Sequence, residues 1–178
     1  RRGEMVVDFC AGAGGKTLAL GVLMRSQGRL YAFDTVDKRL QNLKPRLARS
    51  GLSNVHPQLI AHERDTKIKR LASKVDRVLV DAPCTGTGTL RRNPDLKWRN
   101  QPVDVAELAA KQAAILASAA TLVKPGGRVV YATCSVLPEE NERIVEAFLA
   151  AHPGFGLGDA TAELARAGIT LATGPTLV

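Results

Sequence analysis

Apolar runs that favour strands alternate with longer runs that favour helices along most of this chain. The apolar runs predict five strands, at residues 5–9, 29–33, 57–61, 75–80 and 128–132. Repeated strand–helix–strand order gives parallel pairing with helices on both faces of the sheet. We therefore predict an α/β fold with a mostly parallel sheet, in which ligands bind outside the carboxyl ends of the strands.

Four helices are expected among these strands, at residues 16–26, 38–50, 104–123 and 139–150. Asp104 is predicted to cap the third helix. Pro45 is expected to disturb the second helix, and Gly51 to end it. A long polar loop is predicted from residue 82 to residue 101. Beyond Pro153 the chain is predicted to be irregular up to an apolar run at residues 169–171.

Composition limits the class of protein. The 178 residues, 45% hydrophobic and 24% charged, are ordinary for one soluble globular domain. No run approaches the roughly 18 apolar residues of a membrane helix. The net charge of +8 favours a polyanionic partner such as nucleic acid. Three well-separated cysteines without a CxxC pair argue against zinc and disulfides, and they fit a reducing cytoplasm.

Both ends of the chain suggest a piece of a longer protein. A predicted strand starts almost at once, and residues 176–178 look like the middle of a strand. Natural domains seldom end on an unpaired apolar edge.

Two cysteines directly follow two of the predicted strands. Cys84 ends the segment Asp81-Ala82-Pro83-Cys84, and Cys134 follows the strand at residues 128–132. We expect both thiols in one cleft, where one could attack a substrate and the other assist. The competing interpretation is that each is a small buried residue, the commonest fate of a free cysteine.

A glycine-rich turn joins the first strand to the first helix, and it includes Gly12, Gly14 and Gly15. A phosphate-binding P-loop would need glycine at Cys10, and the dinucleotide fingerprint would need it at Thr17. The turn therefore favours a nucleoside cofactor without a polyphosphate, such as S-adenosylmethionine. The alternative is a tight turn that binds no ligand.

Acidic residues follow the second and third strands. Asp34 lies about twenty residues beyond the glycine turn, where a carboxylate can accept hydrogen bonds from ribose hydroxyls. Asp37 competes for that role, and helix capping is the alternative for Asp34. Glu63 is the candidate for the adenine amino group, with Asp65 in reserve. A solvated charged loop explains these two acids equally well.

Four cations and a tryptophan are interleaved at residues 91–99. Basic groups hold phosphates, and an aromatic ring can stack on a base or pack against the protein. We expect Arg91, Arg92 and Lys97 to contact the phosphates of a nucleic acid, and Trp98 to be a buried anchor of the loop. The competing interpretation is a solvated loop that Trp98 anchors.

Together these segments resemble the RsmB/Sun-type RNA (cytosine-5)-methyltransferases, over nearly the whole chain to about Leu149. The resemblance is carried by residues 8–16, Asp34, residues 81–84, residues 91–98 and residues 131–141. The paired Pro-Cys and Thr-Cys motifs, in this order, are highly specific.

The resemblance implies a Rossmann-like methyltransferase fold that uses S-adenosylmethionine. It implies cofactor contacts from Cys10, Ala11, Gly12, Ala13, Gly14, Gly15, Lys16, Asp34 and Asp81. It also implies that Cys134 is the nucleophile and that Cys84 helps to release the product. Asp81, placed near the base, would stabilise the covalent adduct.

The sequence departs from the family pattern at several points. Ala13 stands where proline is frequent, and His62-Glu63-Arg64 replaces the usual Gly-Asp. RNA-binding regions normally precede such a domain and a last strand normally follows it. Residues 1–178 are therefore expected to be a methyltransferase catalytic domain without its RNA-binding region, truncated before the last strand.

The expected activity is methylation of carbon 5 of a cytosine in RNA, with ribosomal RNA as the expected substrate. We expect no metal ion and no contact with a membrane. We also expect a cytoplasmic location. The alternatives are a transfer-RNA methyltransferase and a non-catalytic cofactor- or RNA-binding module.

Overall fold

A computed structural model of the chain describes residues 3–99 and 101–170. Within them five strands pair in parallel in the order β3-β2-β1-β4-β5. The strands are β1 (Met5–Asp8), β2 (Arg29–Asp34), β3 (Val55–Leu59), β4 (Val75–Asp81) and β5 (Val123–Ala132). The helices are α1 (Gly15–Leu23), α2 (Asp37–Ser50), α3 (Thr66–Lys69), α4 (Leu96–Arg99), α5 (Pro102–Ala120), α6 (Glu142–Ala151) and α7 (Ala160–Arg166).

Helices cover both faces of the sheet because successive residues of β1 point to opposite sides. Val6 packs with Leu40 and Leu43 of α2 in one buried cluster. Val7 belongs to a second buried cluster, which includes Ile68 of α3 and Ile115 of α5. The predicted α/β fold, a parallel sheet between two helix layers, is confirmed.

The strand order reverses beside β1, because β2 and β3 lie on one side of it and β4 and β5 on the other. Such a switch point leaves a crevice at the carboxyl ends of the strands, where open α/β sheets bind ligands. The segments that follow β1, β2, β4 and β5 all start at this edge of the sheet. The fold therefore gathers the glycine turn, Asp34 and both cysteine segments at one place.

Two strand boundaries were wrong in the sequence analysis. β3 covers Val55–Leu59 rather than residues 57–61, and it accommodates Pro57 because it lies at an edge of the described sheet. β5 begins at Val123, five residues before the predicted start. Its register against β4 shifts between Val75 and Arg77, so residues 125–127 form an irregularity inside the strand.

The helix predictions also need correction. α5 begins at Pro102, and Asp104 lies in its first turn, where it accepts a hydrogen bond from the Gln101 amide at 2.7 Å. α2 continues through Pro45 and ends at Gly51. The predicted fourth helix is split into a 3₁₀ turn at Pro138–Glu140 and α6.

The two segments expected to lack regular structure contain short helices. The loop after β4 holds a 3₁₀ turn at Thr87–Thr89 and the single-turn α4. α7 lies in the segment predicted to be irregular, and its cap Asp159 accepts a hydrogen bond from the Ala162 amide at 2.9 Å. Leu171 of the last predicted apolar run, and residues 176–178, lie outside the described residues.

Candidate active site

The two cysteines that follow β4 and β5 are in contact. The Sγ atoms of Cys84 and Cys134 lie 3.2 Å apart, and the Cys134 amide points at the Cys84 sulfur from 3.3 Å. Cys134 is exposed and Cys84 is half-buried. The structure thus brings together the two thiols singled out in the sequence, with Cys134 open to a substrate.

Burial changes the acidity of the Cys84 thiol. Burial raises the pKa of the Cys84 thiol to about 11, and its hydrogen bond with Cys134 acts in the same direction. Cys84 therefore stays protonated near neutral pH and can donate an S–H hydrogen bond to the sulfur beside it.

The cysteine segments are tied to each other by backbone contacts around Gly88. Its amide donates to the Cys134 carbonyl oxygen at 2.9 Å. A Cβ atom at Gly88 would lie 2.9 Å from the same oxygen, closer than real Cβ atoms approach. The Val136 amide donates to the Thr87 hydroxyl at 3.1 Å. Only glycine at position 88 allows the two segments to approach this closely.

Beneath this surface, Glu140 connects both cysteine segments. Its buried carboxylate accepts hydrogen bonds from the Thr85 amide at 2.9 Å, the Thr85 hydroxyl at 2.5 Å and the Gln112 side chain at 2.9 Å. The Gln112 amide group also donates to the Pro83 carbonyl oxygen at 2.9 Å. Neither residue was expected in the site, because glutamate and glutamine are mostly found at the surface.

Asn141 fixes the turn that carries Cys134. Its side-chain nitrogen donates to the carbonyl oxygens of Ser135 and Leu137, at 3.0 and 3.1 Å. Its side-chain oxygen accepts a hydrogen bond from the Thr133 hydroxyl at 2.6 Å. The sequence signal for these roles was the run at residues 138–141, which carried the family resemblance without an assigned function.

The glycine turn after β1 presents an open surface. Gly14 has a φ of +87°, and a Cβ atom there would lie 2.1 Å from a Leu43 methyl group, so the turn requires glycine. At Gly12 and Gly15, by contrast, nothing lies within 4 Å of a Cβ position. The outer side of the turn can therefore be approached closely by a ligand.

Charged side chains surround this turn. Lys16 contacts Asp81 at 2.5 Å, which joins the start of α1 to the end of β4. Asp8 is buried and accepts a hydrogen bond from the Thr17 hydroxyl at 2.7 Å. Burial, opposed in part by Thr17, raises the pKa of Asp8 to about 6. Burial and the neighbouring carboxylates raise the pKa of Cys10 to about 12, so its thiol stays neutral.

Asp34 holds the glycine turn against β2. The carboxylate is only 4% exposed and accepts hydrogen bonds from the Gly12 amide at 2.9 Å and the Val36 amide at 2.8 Å. Asp37 is the first residue of α2, and its exposed carboxylate contacts Gln41. Asp34 is thus the acid that lies against the turn, and its predicted contact with ribose remains a prediction.

The two acids after β3 have different surroundings. Asp65 caps α3 and accepts hydrogen bonds from the Ala61 amide at 2.8 Å and the Lys67 amide at 2.9 Å. Glu63 has a partly exposed side chain, 3.8 Å from Arg64. The structure gives Asp65 a local structural role, which leaves Glu63 as the candidate for the adenine contact.

The basic segment adjoins the cysteines, but its tryptophan is not an anchor. Trp98 is 78% exposed, with Lys97 Nζ 5.1 Å from its ring centre, so the predicted burial was wrong. Leu96 is the inward-facing residue of α4, because it packs over Gly86. A depression of about 630 Å³ is lined by exposed Arg91 and Arg92 together with Gly88 and Thr89. Gly88 connects this surface to the Cys134 segment, because its amide bonds the Cys134 carbonyl oxygen.

Two features are absent from the described part of the chain. None of its helices combines the length and apolar character needed to cross a membrane. Residues 3–99 and 101–170 also contain no cluster of three or more His, Cys, Asp or Glu side chains that could hold a metal ion.

This site can be compared with those of known proteins. The family model described as 16S rRNA methyltransferase RsmB/F matches residues 1–173. A probable ribosomal RNA small subunit methyltransferase B from Synechocystis sp. is 44% identical over 152 residues, which cover 84% of this chain and 33% of the relative. The chain spans about a third of the length of the curated relatives it matches.

Solved structures are similar to this chain in both fold and sequence. The crystal structure of PH0851 has a TM-score of 0.82 at 43% identity, covering 86% of this chain and 34% of the other. The structure of NSun6 from Pyrococcus horikoshii with SFG has a TM-score of 0.74 at 30% identity, covering 83% of this chain and 37% of the other.

Proposed function

Because this chain belongs to the RsmB/F family of 16S rRNA methyltransferases, we propose that it methylates carbon 5 of a cytosine in ribosomal RNA. The reaction proceeds through a covalent adduct with Cys134. One observation carries this proposal: the sulfurs of Cys84 and Cys134 lie 3.2 Å apart at the edge of the sheet that also holds the open glycine turn. The family depends on S-adenosylmethionine, and the related NSun6 structure holds SFG, an analogue of this cofactor.

The residues around the glycine turn fit S-adenosylmethionine. Open space over Gly12 and Gly15 allows the cofactor to lie against the backbone. The carboxylates of Asp34 and Asp81 suit ribose hydroxyls and the positively charged end of the cofactor. Residues 10–16 would line the cleft, and Glu63 would accept a hydrogen bond from the adenine amino group. When bound, S-adenosylmethionine supplies the electrophilic methyl group.

Cys134 makes the target carbon reactive. Carbon 5 of cytosine is too weak a nucleophile to take a methyl group unaided. Addition of the Cys134 thiolate to carbon 6 forms a carbon–sulfur bond and moves electron density onto carbon 5. The target base must be unstacked from its neighbours to reach this exposed sulfur.

Cys84 assists the departure of the product. After methyl transfer, the carbon 5 proton passes to water, the ring double bond re-forms, and the carbon–sulfur bond breaks. The electron pair of that bond returns to the Cys134 sulfur as a thiolate. The protonated Cys84 thiol, 3.2 Å away, donates a hydrogen bond that stabilises this leaving group. Asp81 at the end of β4 would bond the base and stabilise the adduct.

The basic surface beside Cys134 suits the RNA backbone. Arg91 and Arg92 are exposed next to the cysteine segments, and Lys97 is exposed on α4. Cations at such positions bind phosphates and fix the register of a nucleic acid. The names of the curated relatives support ribosomal RNA over transfer RNA. We propose that residues 1–178 form the catalytic domain and act in the cytoplasm without a metal ion.

RNA that contains 5-azacytidine tests the proposal. This base has nitrogen in place of carbon 5, so it lacks the proton whose loss would release the enzyme. We expect a denaturation-resistant protein–RNA adduct with the wild-type chain and with Cys84→Ser, and none with Cys134→Ser. The two variants are matched, since each exchanges one sulfur for oxygen at the same site.

Other outcomes would favour the alternatives. An adduct that survives Cys134→Ser but not Cys84→Ser would reverse the two roles. No adduct in any variant, with S-adenosylmethionine still bound, would favour a non-catalytic binding module. Adducts with transfer RNA but not with 16S rRNA would favour the transfer-RNA enzyme.

A further inference from the structure

Glu140 is a buried acid for which the methylation mechanism has no role. Its side chain has no exposed surface, although glutamate is almost never fully buried unless it is paired. Burial opposes its ionisation, but hydrogen bonds to the carboxylate, those from Thr85 and Gln112 among them, outweigh this and hold the pKa of Glu140 below its ordinary value. The site thus maintains a buried negative charge, at a cost that needs compensation.

The contacts of this carboxylate link the segment of Cys84 to the segment of Cys134. Thr85, which follows Cys84, donates through both its amide and its hydroxyl. Glu140 itself belongs to the other segment, because its 3₁₀ turn begins four residues after Cys134. Gln112 of α5 donates to the carboxylate and also to the Pro83 carbonyl oxygen, on the other side of Cys84. One carboxylate therefore connects both cysteine segments to the body of the domain.

We propose that Glu140 is a positioning residue that sets the distance between the Cys84 and Cys134 sulfurs. Its effect on catalysis rests on the proposed function, whereas its effect on the sulfur geometry does not. The Glu140 carboxylate acts through the backbone on either side of Cys84, directly at Thr85 and through Gln112 at Pro83.

Other contacts also join the two segments, but they lie nearer the surface. The Thr87 and Ser135 hydroxyls are 3.0 Å apart in a partly buried position, and the Val136 amide bonds Thr87 in an exposed one. Water competes for such groups, whereas charge-assisted hydrogen bonds in the interior are roughly twice as strong as neutral ones. Loss of the Glu140 charge should therefore loosen the pair more than loss of a surface contact.

The rate of disulfide formation between the two cysteines measures their proximity without any methyl transfer. Diamide, an azo oxidant, takes two electrons and two protons from the thiol pair and becomes the hydrazine. We expect Glu140→Gln to slow formation of the Cys84–Cys134 disulfide about tenfold, the scale set by one buried charged hydrogen bond. Glu139→Gln is the matched control, because Glu139 lies in the same 3₁₀ turn and pairs with Arg143 at 2.9 Å. The control should form the disulfide at the wild-type rate.

Near-UV circular dichroism shows whether Glu140→Gln is natively folded. If it is, and its disulfide forms at the wild-type rate, the proposal is overturned. If Glu140→Gln does not fold, Gln112→Met decides, since it removes one donor and leaves the carboxylate with Thr85. A wild-type rate in folded Gln112→Met would likewise overturn it.

Methylation kinetics add a readout that a merely structural role would not give. Glu140→Gln should lower kcat while the Kd for S-adenosylmethionine stays unchanged, because the glycine turn is not part of the network. A fall in kcat matched by weaker cofactor binding would contradict the positioning role. If the wild-type chain forms no adduct with 5-azacytidine RNA but the disulfide rates differ as expected, the proposed function fails and the positioning role stands.

Discussion

The Thr17 hydroxyl donates a hydrogen bond to Asp8 at 2.7 Å in the interior below the glycine turn. Burial outweighs this bond, and it raises the pKa of Asp8 from 3.8 to about 6. A carboxyl whose pKa is raised on folding favours the folded state when it is protonated. This contribution is complete below about pH 4 and is lost as the pH rises through about 6.

Asp8→Asn should therefore remove the free-energy cost of burying an ionised carboxylate, which grows as the pH rises. A rise from 3.8 to about 6 corresponds to about 3 kcal/mol of unfolding free energy lost between pH 4 and pH 7. At pH 7 we expect the variant to unfold at a higher urea concentration than the wild type. Between pH 4 and pH 7 its unfolding free energy should depend less on pH than that of the wild type. Thr17→Val should raise the pKa of Asp8 further, because it removes the hydrogen bond that favours the carboxylate. The loss of unfolding free energy should then occur at higher pH than in the wild type. An unchanged pH dependence in Asp8→Asn would contradict this assignment.

Cys84→Ala should trap the enzyme on its product. Attack by Cys134 remains possible, but the departing thiolate loses its hydrogen-bond donor. We expect covalent protein–RNA complex to accumulate with unmodified RNA and S-adenosylmethionine, visible as a retarded band on a denaturing gel. Normal turnover without such a band would show that Cys84 has no role in product release.

The three thiols should react with iodoacetamide in a defined order. Cys134 is exposed, whereas burial raises the pKa of Cys84 to about 11 and that of Cys10 to about 12. Because the thiolate is the reactive form, we expect Cys134 to be alkylated first at pH 8. Peptide mass spectrometry over time measures the order. Faster labelling of Cys10 than of Cys134 would contradict the described burial.

Trp98 should report RNA binding directly. It is the single tryptophan of the chain and is 78% exposed, so acrylamide should quench its fluorescence efficiently. We expect single-stranded RNA to quench it further by stacking. Trp98→Ala should weaken binding by about 1–3 kcal/mol, the value of one stacked base, and Trp98→Phe should restore most of the loss. Equal affinities in all three proteins would show that Trp98 contacts no base.

The strands that form the cleft were predictable because their signals are local. Val78, Leu79 and Val80 form a continuous apolar run, which is typical of a strand covered on both faces. Parallel pairing then placed Cys84 and Cys134 at the same edge of the sheet, and they meet because β4 and β5 are neighbours. The start of β3 was less predictable, since Pro57 is allowed only because that strand lies at the edge of the described sheet.

The remainder of the site depends on contacts that no local pattern carries. Trp98 was expected to be buried, but Leu96 occupies the inward position of α4 over Gly86. Glu140 was expected within the helix at residues 139–150 and was given no role in the site, because a charged residue is usually solvated. Its burial depends on Thr85 and Gln112, which are distant in sequence. Such partnerships become visible only when the whole fold is assembled.

The thiol pair is separated by 50 residues along the chain. It can form only after synthesis has passed β5 and after that strand has docked on β4, which makes it a late product of folding. β5 also lies at the edge of the described sheet. Local fraying there would part the sulfurs while the central strands stay intact, so methylation should be lost in milder denaturant than the fold itself.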